Sequence, residues 1–142
     1  MLKKIGQRLK NEKGLTLIEL LAVVVILGII AAIAIPSIGG LINNSKKDAH
    51  IANAKMMVEG ARMAVTGQGN YAGGNITLKQ LEDDGYLEEV KAPAGSTYDK
   101  DQSLVNVKKD SGKYTYTVTL KGTGFTITGD AASATRANVT IQ

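Results

Sequence analysis

The sequence predicts an α+β fold in which a long N-terminal helix, membrane-spanning in its first half, packs on a small C-terminal antiparallel β-sheet. Three observations carry this expectation. Between Leu15 and Ile35 lie 21 residues that are all apolar, Gly or Ala except Thr16 and Glu19. Beyond Pro36, apolar residues recur at helical spacing as far as Val65. From Leu104 onward they alternate with polar ones, as on strands with one covered face.

The apolar run sets the plan. At ~1.5 Å rise per residue it covers about 30 Å, the thickness of a bilayer's hydrocarbon core. The formal net charge of +4 belongs entirely to the segment before it, where Lys3, Lys4, Arg8, Lys10 and Lys13 stand against Glu12. The rest of the chain carries 12 Lys/Arg and 12 Asp/Glu, so the basic balance does not indicate DNA binding. Positive charge before the span keeps the N-terminus in the cytoplasm and sends residues 37–142 across. The expected divisions are a leader over 1–14, an apolar transmembrane helix over 15–36, its amphipathic continuation over 37–66, and a globular region over 67–142. With 142 residues in all, that last part has room for one modest core.

Three readings fit the N-terminus: a plain single-pass anchor, a secretory signal cut after Ala32-Ile33-Ala34, and a leader cut between Gly14 and Leu15. The secretory reading is weakened by the length of the run and by Glu19 within it. A cut after Gly14 suits a peptidase reading extended chain at the membrane face, where a residue without a side chain obstructs least. An ionised carboxylate inside hydrocarbon costs about 2.5–3.5 kcal/mol at mid-span and less near the interface. Glu19 lies about 6 Å along the axis from Leu15. A cut there would expose an α-amino group whose positive charge is a natural partner for that acid. The alternative is a Glu19 that snorkels to the headgroups.

Lys13-Gly14-Leu15-Thr16-Leu17-Ile18-Glu19-Leu20-Leu21 resembles the class III signal of type IV prepilins and pseudopilins. The resemblance covers about 25 residues closely and the overall layout loosely. Leu15 departs from the Phe usual at the first mature position, and the missing Cys departs from the disulfide-closed C-terminal loop of many Gram-negative pilins. The resemblance implies a type IV pilin-like fold, cleavage by a prepilin peptidase between Gly14 and Leu15, and N-methylation of Leu15. It also implies assembly through Thr16 and Glu19, with Glu19 paired to the amine of a neighbouring copy. The family's partners would then be further copies of this chain in a helical filament, the peptidase, the pilus assembly platform, and the cytoplasmic membrane before export to the cell surface. Gly28 and Pro36 would be the points where the helix melts when the filament stretches.

The rest follows in order. Proline lacks an amide hydrogen and crowds the carbonyl four residues back, so Pro36 should kink or loosen the helix. After it, Ile38, Ile42, Ala49, Ala52, Met56, Gly60 and Met63 share one direction, and Ile51, Ala54, Val58, Ala61 and Val65 lie roughly opposite. That fits either one face in the chain's own domain and another against partner subunits, or a single wide buried face. Thr66–Asn75, with four Gly, reads as a loop without the spacing of a phosphate-binding turn. Thr77 can cap a short helix that buries Leu78 and Leu81 and ends at Gly85. Gly85-Tyr86-Leu87 with Pro93 resembles a connector common in pilins. Leu104–Lys109 and Tyr114–Leu120 form a hairpin about Asp110-Ser111-Gly112, Phe125 and Ile127 mark a third strand, and Val139 and Ile141 a fourth.

Catalysis finds no support. The single His50 reads as a solvated helix residue, no strained nucleophile turn accompanies it, and the P-loop, Rossmann and HExxH patterns are absent. Without Cys there is no disulfide or thiolate metal site. Asp99 and Asp101 fall short of the six to eight oxygens a Ca²⁺ site needs, so no metal or cofactor is expected. Asn43, Asn75 and Asn138 begin glycosylation sequons, a pattern common by chance. Glu82, Asp83, Asp84, Glu88 and Glu89 read as a solvated acidic patch. The expected function is structural: a major pilin serving adhesion, twitching motility, DNA uptake or secretion. The alternatives are a minor pilin or pseudopilin of a type II secretion or competence system, and a membrane-anchored or secreted binding domain with an ordinary Sec signal.

Overall fold

Helix α1 (Leu2–Gly67) accounts for nearly half of the chain and stays helical through Gly28 and Pro36. The computed structural model describes residues 16–130 and 133–140. Two compact units divide the chain, Met1–Ile42 and Asn43–Gln142.

The second unit holds the core. After α1 come β1 (Gly74–Thr77), α2 (Leu78–Asp83), β2 (Leu104–Asp110), β3 (Lys113–Gly122), β4 (Phe125–Asp130), a single 3₁₀ turn (Arg136–Asn138) and β5 (Val139–Ile141). The strands form one antiparallel sheet in the order β1-β2-β3-β4-β5, so each pairs with its neighbours in sequence. The β2–β3 turn is the Asp110–Lys113 pair closed by Ser111 and Gly112, both at positive φ. That is the primed geometry whose twist matches a two-residue hairpin. Thr77 caps α2 reciprocally: its hydroxyl accepts from the Gln80 amide, and the Gln80 side chain accepts from the Thr77 amide. Leu78 and Leu81 are fully buried, and Gly85 takes the left-handed conformation just past the helix.

β1 is absent from the sequence reading, which puts Gly74 and Asn75 in a loop and Thr77 at the cap of the next helix. Its four residues, Gly-Asn-Ile-Thr, hold one apolar side chain and no periodic signal. The strand exists because β2 offers a ladder: Gly74 opposes Val107, and Ile76 opposes Val105 and turns inward.

The outer part of α1 has a single wide buried face, the second of the two expected arrangements. Ile51, Ala54, Val58, Ala61 and Val65 are buried, as one of the two faces proposes, but His50, Met57, Ala64 and Gly60 are buried beside them. The covered arc spans about 180° of the helix. Gly60, which spacing groups with Met56 and Met63, lies under Leu87; a Cβ there would stand 2.8 Å from the Leu87 side chain. Met56 and Met63 remain outside, about half exposed. Opposite the helix, Val105, Val107, Val118, Leu120, Phe125, Ile127 and Val139 line the sheet's inner face and complete the core.

Candidate functional site: the apolar length of α1

The first unit contains no core among the described residues. From Leu17 to Ile35 every large aliphatic side chain is more than half exposed, and the most apolar 18-residue window of the helix is 0% buried. By length and composition this helix can cross a membrane. The core helix of a soluble protein would pass the same test but would be covered by its own chain, and this one is bare.

Glu19 stands on that bare surface, exposed and without a hydrogen-bond or ion-pair partner among the described residues. Thr16, three residues earlier and so close to it on the helix surface, is also exposed. Gly28 has open space around its α-carbon, so nothing in the single chain demands a glycine there. Pro36 lies inside the helix, which forgoes one hydrogen bond at Ala32 without ending. Gly14 and Leu15, the expected cleavage and methylation positions, lie outside the described residues.

The globular unit corrects two readings. His50 is not solvated: it is 4% exposed, its ring stacked on Phe125 at 3.8 Å between centroids, with Nδ1 3.0 Å from the Tyr98 hydroxyl. Its helical position held the signal, because His50, Met57, Ala61 and Ala64 fall on one stripe at seven-, four- and three-residue steps. Burial, and then the charge of Lys46, hold its pKa below the ordinary histidine value. The acidic patch is not uniformly solvated either. Glu82 is largely covered, accepts from the Val90 amide at 3.0 Å and pairs with Lys100 at 2.6 Å. Its hydrogen bond raises the Lys100 pKa. The Asp99 carboxylate is engaged by the amides of Asp101 and Gln102, so it closes a local turn, and no group of metal-ligating side chains occurs among the described residues. Of the sequons, Asn75 accepts from the Asn106 side chain, and Asn138 accepts from the amide and hydroxyl of Thr135.

A bare, membrane-length helix continuing into a small domain with an antiparallel sheet is a pilin-like α+β architecture. Residues 9–35 match the prokaryotic N-terminal methylation motif, which is the class III signal found on type IV pilin-like prepilins. That stretch contains Gly14, Leu15, Thr16 and Glu19 and stops just before Pro36. Such a motif marks substrates of prepilin peptidase, and here it runs into a helix long and apolar enough to cross a membrane. No curated protein and no solved structure matches the chain.

Proposed function

We propose that this chain is the major structural subunit of a type IV pilus filament. Prepilin peptidase cuts between Gly14 and Leu15, the new amine of Leu15 is methylated, and the segment over 15–36 packs with its counterparts in other copies. The prepilin waits in the cytoplasmic membrane, and the assembly platform moves it into a filament on the cell surface. Melting between Gly28 and Pro36 lets the filament extend.

The observation that carries this reading is Glu19, an acid with no partner among the described residues on an otherwise apolar, uncovered helix inside the matched motif. An acid in that setting is stabilised by a cation that comes from elsewhere, and the amine released beside Leu15 on a neighbouring copy is such a cation. Thr16, within a helical turn of Glu19, adds a hydroxyl at the same level.

Intact mass and N-terminal sequencing of material sheared from cells test the cleavage. Leu15 as the first residue, with a mass raised by one methyl group, agrees with the proposal; Ile35 as the first residue, or an uncut chain, rejects it in favour of a secreted or anchored domain. Abundance in the sheared fraction separates a major subunit from a minor pilin or pseudopilin. Glu19→Ala should insert in the membrane normally and yield no filaments, and normal filaments from that variant would overturn the pairing.

A further inference from the structure

Beneath the His50–Phe125 stack, the globular unit holds a cavity of about 240 Å³ lined by Asn43, Lys46, Lys47, His50, Ser96 and Thr123, with Gly124, Phe125 and Val139 closing its apolar side. Every titratable group in that lining is basic. Neither lysine meets a carboxylate within ion-pair distance among the described residues, as holds for most of the surface lysines. The Lys46 amine reaches across toward Gly95, 3.8 Å from where a Cβ would stand on the turn between Pro93 and Ser96.

The hydrogen bonding behind the cavity fixes what His50 presents to it. The Asn53 amide nitrogen donates to the Lys91 carbonyl at 3.0 Å, which sets the orientation of that side chain, and donates to the Tyr98 hydroxyl oxygen at 2.7 Å. That leaves the hydroxyl's own hydrogen available to Nδ1 of His50, 3.0 Å away, the arrangement in which the neutral ring carries its proton on Nε2. No side-chain or backbone group among the described residues accepts from Nε2. Two ammonium groups, an imidazole N–H and the Ser96 side chain therefore border one space that holds no anionic group among the described residues, while the Thr123 hydroxyl, also on its rim, is bonded to the Thr97 hydroxyl at 2.6 Å. A tetrahedral oxyanion with several acceptor oxygens and more than one negative charge satisfies such a set.

We propose that this cavity binds a phosphoryl group, with Lys46 and Lys47 supplying charge and His50 Nε2 and Ser96 supplying directed hydrogen bonds. The ligand is a phosphate ester, free in solution or carried as a lipid headgroup. The site does not depend on whether the chain forms filaments.

His50 is the single histidine of the chain, so its ring resonance in NMR reports on this cavity alone. The full chain, in phosphate-free maltoside micelles at constant ionic strength, is titrated with inorganic phosphate and with glycerol phosphate, with chloride as the comparison. The groups facing the ring are Lys46 and Lys47 from the helix and Tyr98 from the connecting loop; Phe125 and Val139 on the sheet are uncharged. A bound phosphoryl dianion should shift the resonance saturably and move the His50 titration midpoint upward, because it stabilises the imidazolium. Lys46→Gln and Lys47→Gln should each weaken the response at least tenfold without lowering the unfolding temperature. If one of them fails to fold, the other carries the comparison. A saturable response in phosphatidylglycerol nanodiscs without added phosphate identifies the lipid as the source, and a response to free phosphate alone identifies a soluble ester. Shifts that do not saturate, that chloride reproduces, or that survive both lysine substitutions overturn the proposal.

Discussion

The two units of this chain use the same apolar residue types to opposite ends. In Asn43–Gln142, the buried arc of α1 meets the inner face of a five-stranded sheet, and residues such as Ala54, Met57, Leu120 and Ile127 are sealed from solvent. Among the described residues there, every side-chain nitrogen or oxygen that is wholly sealed from solvent has a hydrogen-bond partner. In the helix before it, Leu17, Ile18, Leu20 and their successors are more than half exposed, and Glu19 has no partner among the described residues. One unit completes itself. The other presents an uncovered apolar surface from Leu17 to Ile35, with Glu19 the one charge on that stretch. Stability and assembly should therefore respond to different substitutions.

The largest expected effects test that separation directly. Glu19→Ala should abolish filaments yet leave unfolding of the globular unit within about 0.5 kcal/mol of wild type, since it touches nothing in that core. A fall in globular stability would show that the two units are not independent. The converse is Leu120→Ala, which empties a fully buried position. It should cost about 2–5 kcal/mol in denaturant unfolding of the full chain followed by circular dichroism, while membrane insertion is unchanged. An effect below 1 kcal/mol would mean that the sheet core is looser than its burial implies.

Smaller effects sharpen the account of the globular unit. Thr77→Ala removes the oxygen that accepts from Gln80 and should cost about 1 kcal/mol, the usual worth of an N-cap. Thr77→Ser should restore it. The smallest effect expected is a pH dependence from His50. Burial and Lys46 lower its folded-state pKa, whereas the unfolded chain titrates near ~6.5. Between those values the unfolded state binds the extra proton. The contribution of His50 is therefore full above about pH 6.5 and is lost as pH falls through the folded-state value. Denaturant midpoints measured from pH 7.5 to 5 should decline for wild type and decline less for His50→Gln. Equal slopes would show that the ring is not held neutral by its surroundings.

Much of this was legible along the chain. The span, its lone acid, the capped α2 with Leu78 and Leu81 inward, and the hairpin about Ser111-Gly112 all follow from patterns within a dozen residues. Three features escaped. β1 needed the ladder offered by β2. Gly60 needed Leu87, 27 positions later, to explain why a residue that spacing groups with Met56 and Met63 is covered. His50 needed Tyr98 and Phe125, from two other segments, to become part of the core.

The division has a physical cause. Apolar periodicity, a charge stranded in an apolar run, helix caps and tight turns are local preferences of the backbone and its nearest side chains, so the sequence alone determined the bare helix, the motif within it and most of the elements. Which side of the outer helix is covered depends on contacts between segments 27 to 75 residues apart. So does whether the single histidine is wet or dry, and which lysines are left without a carboxylate. These were decided only when the tertiary structure brought those segments together, because burial belongs to packed neighbours and not to any one residue.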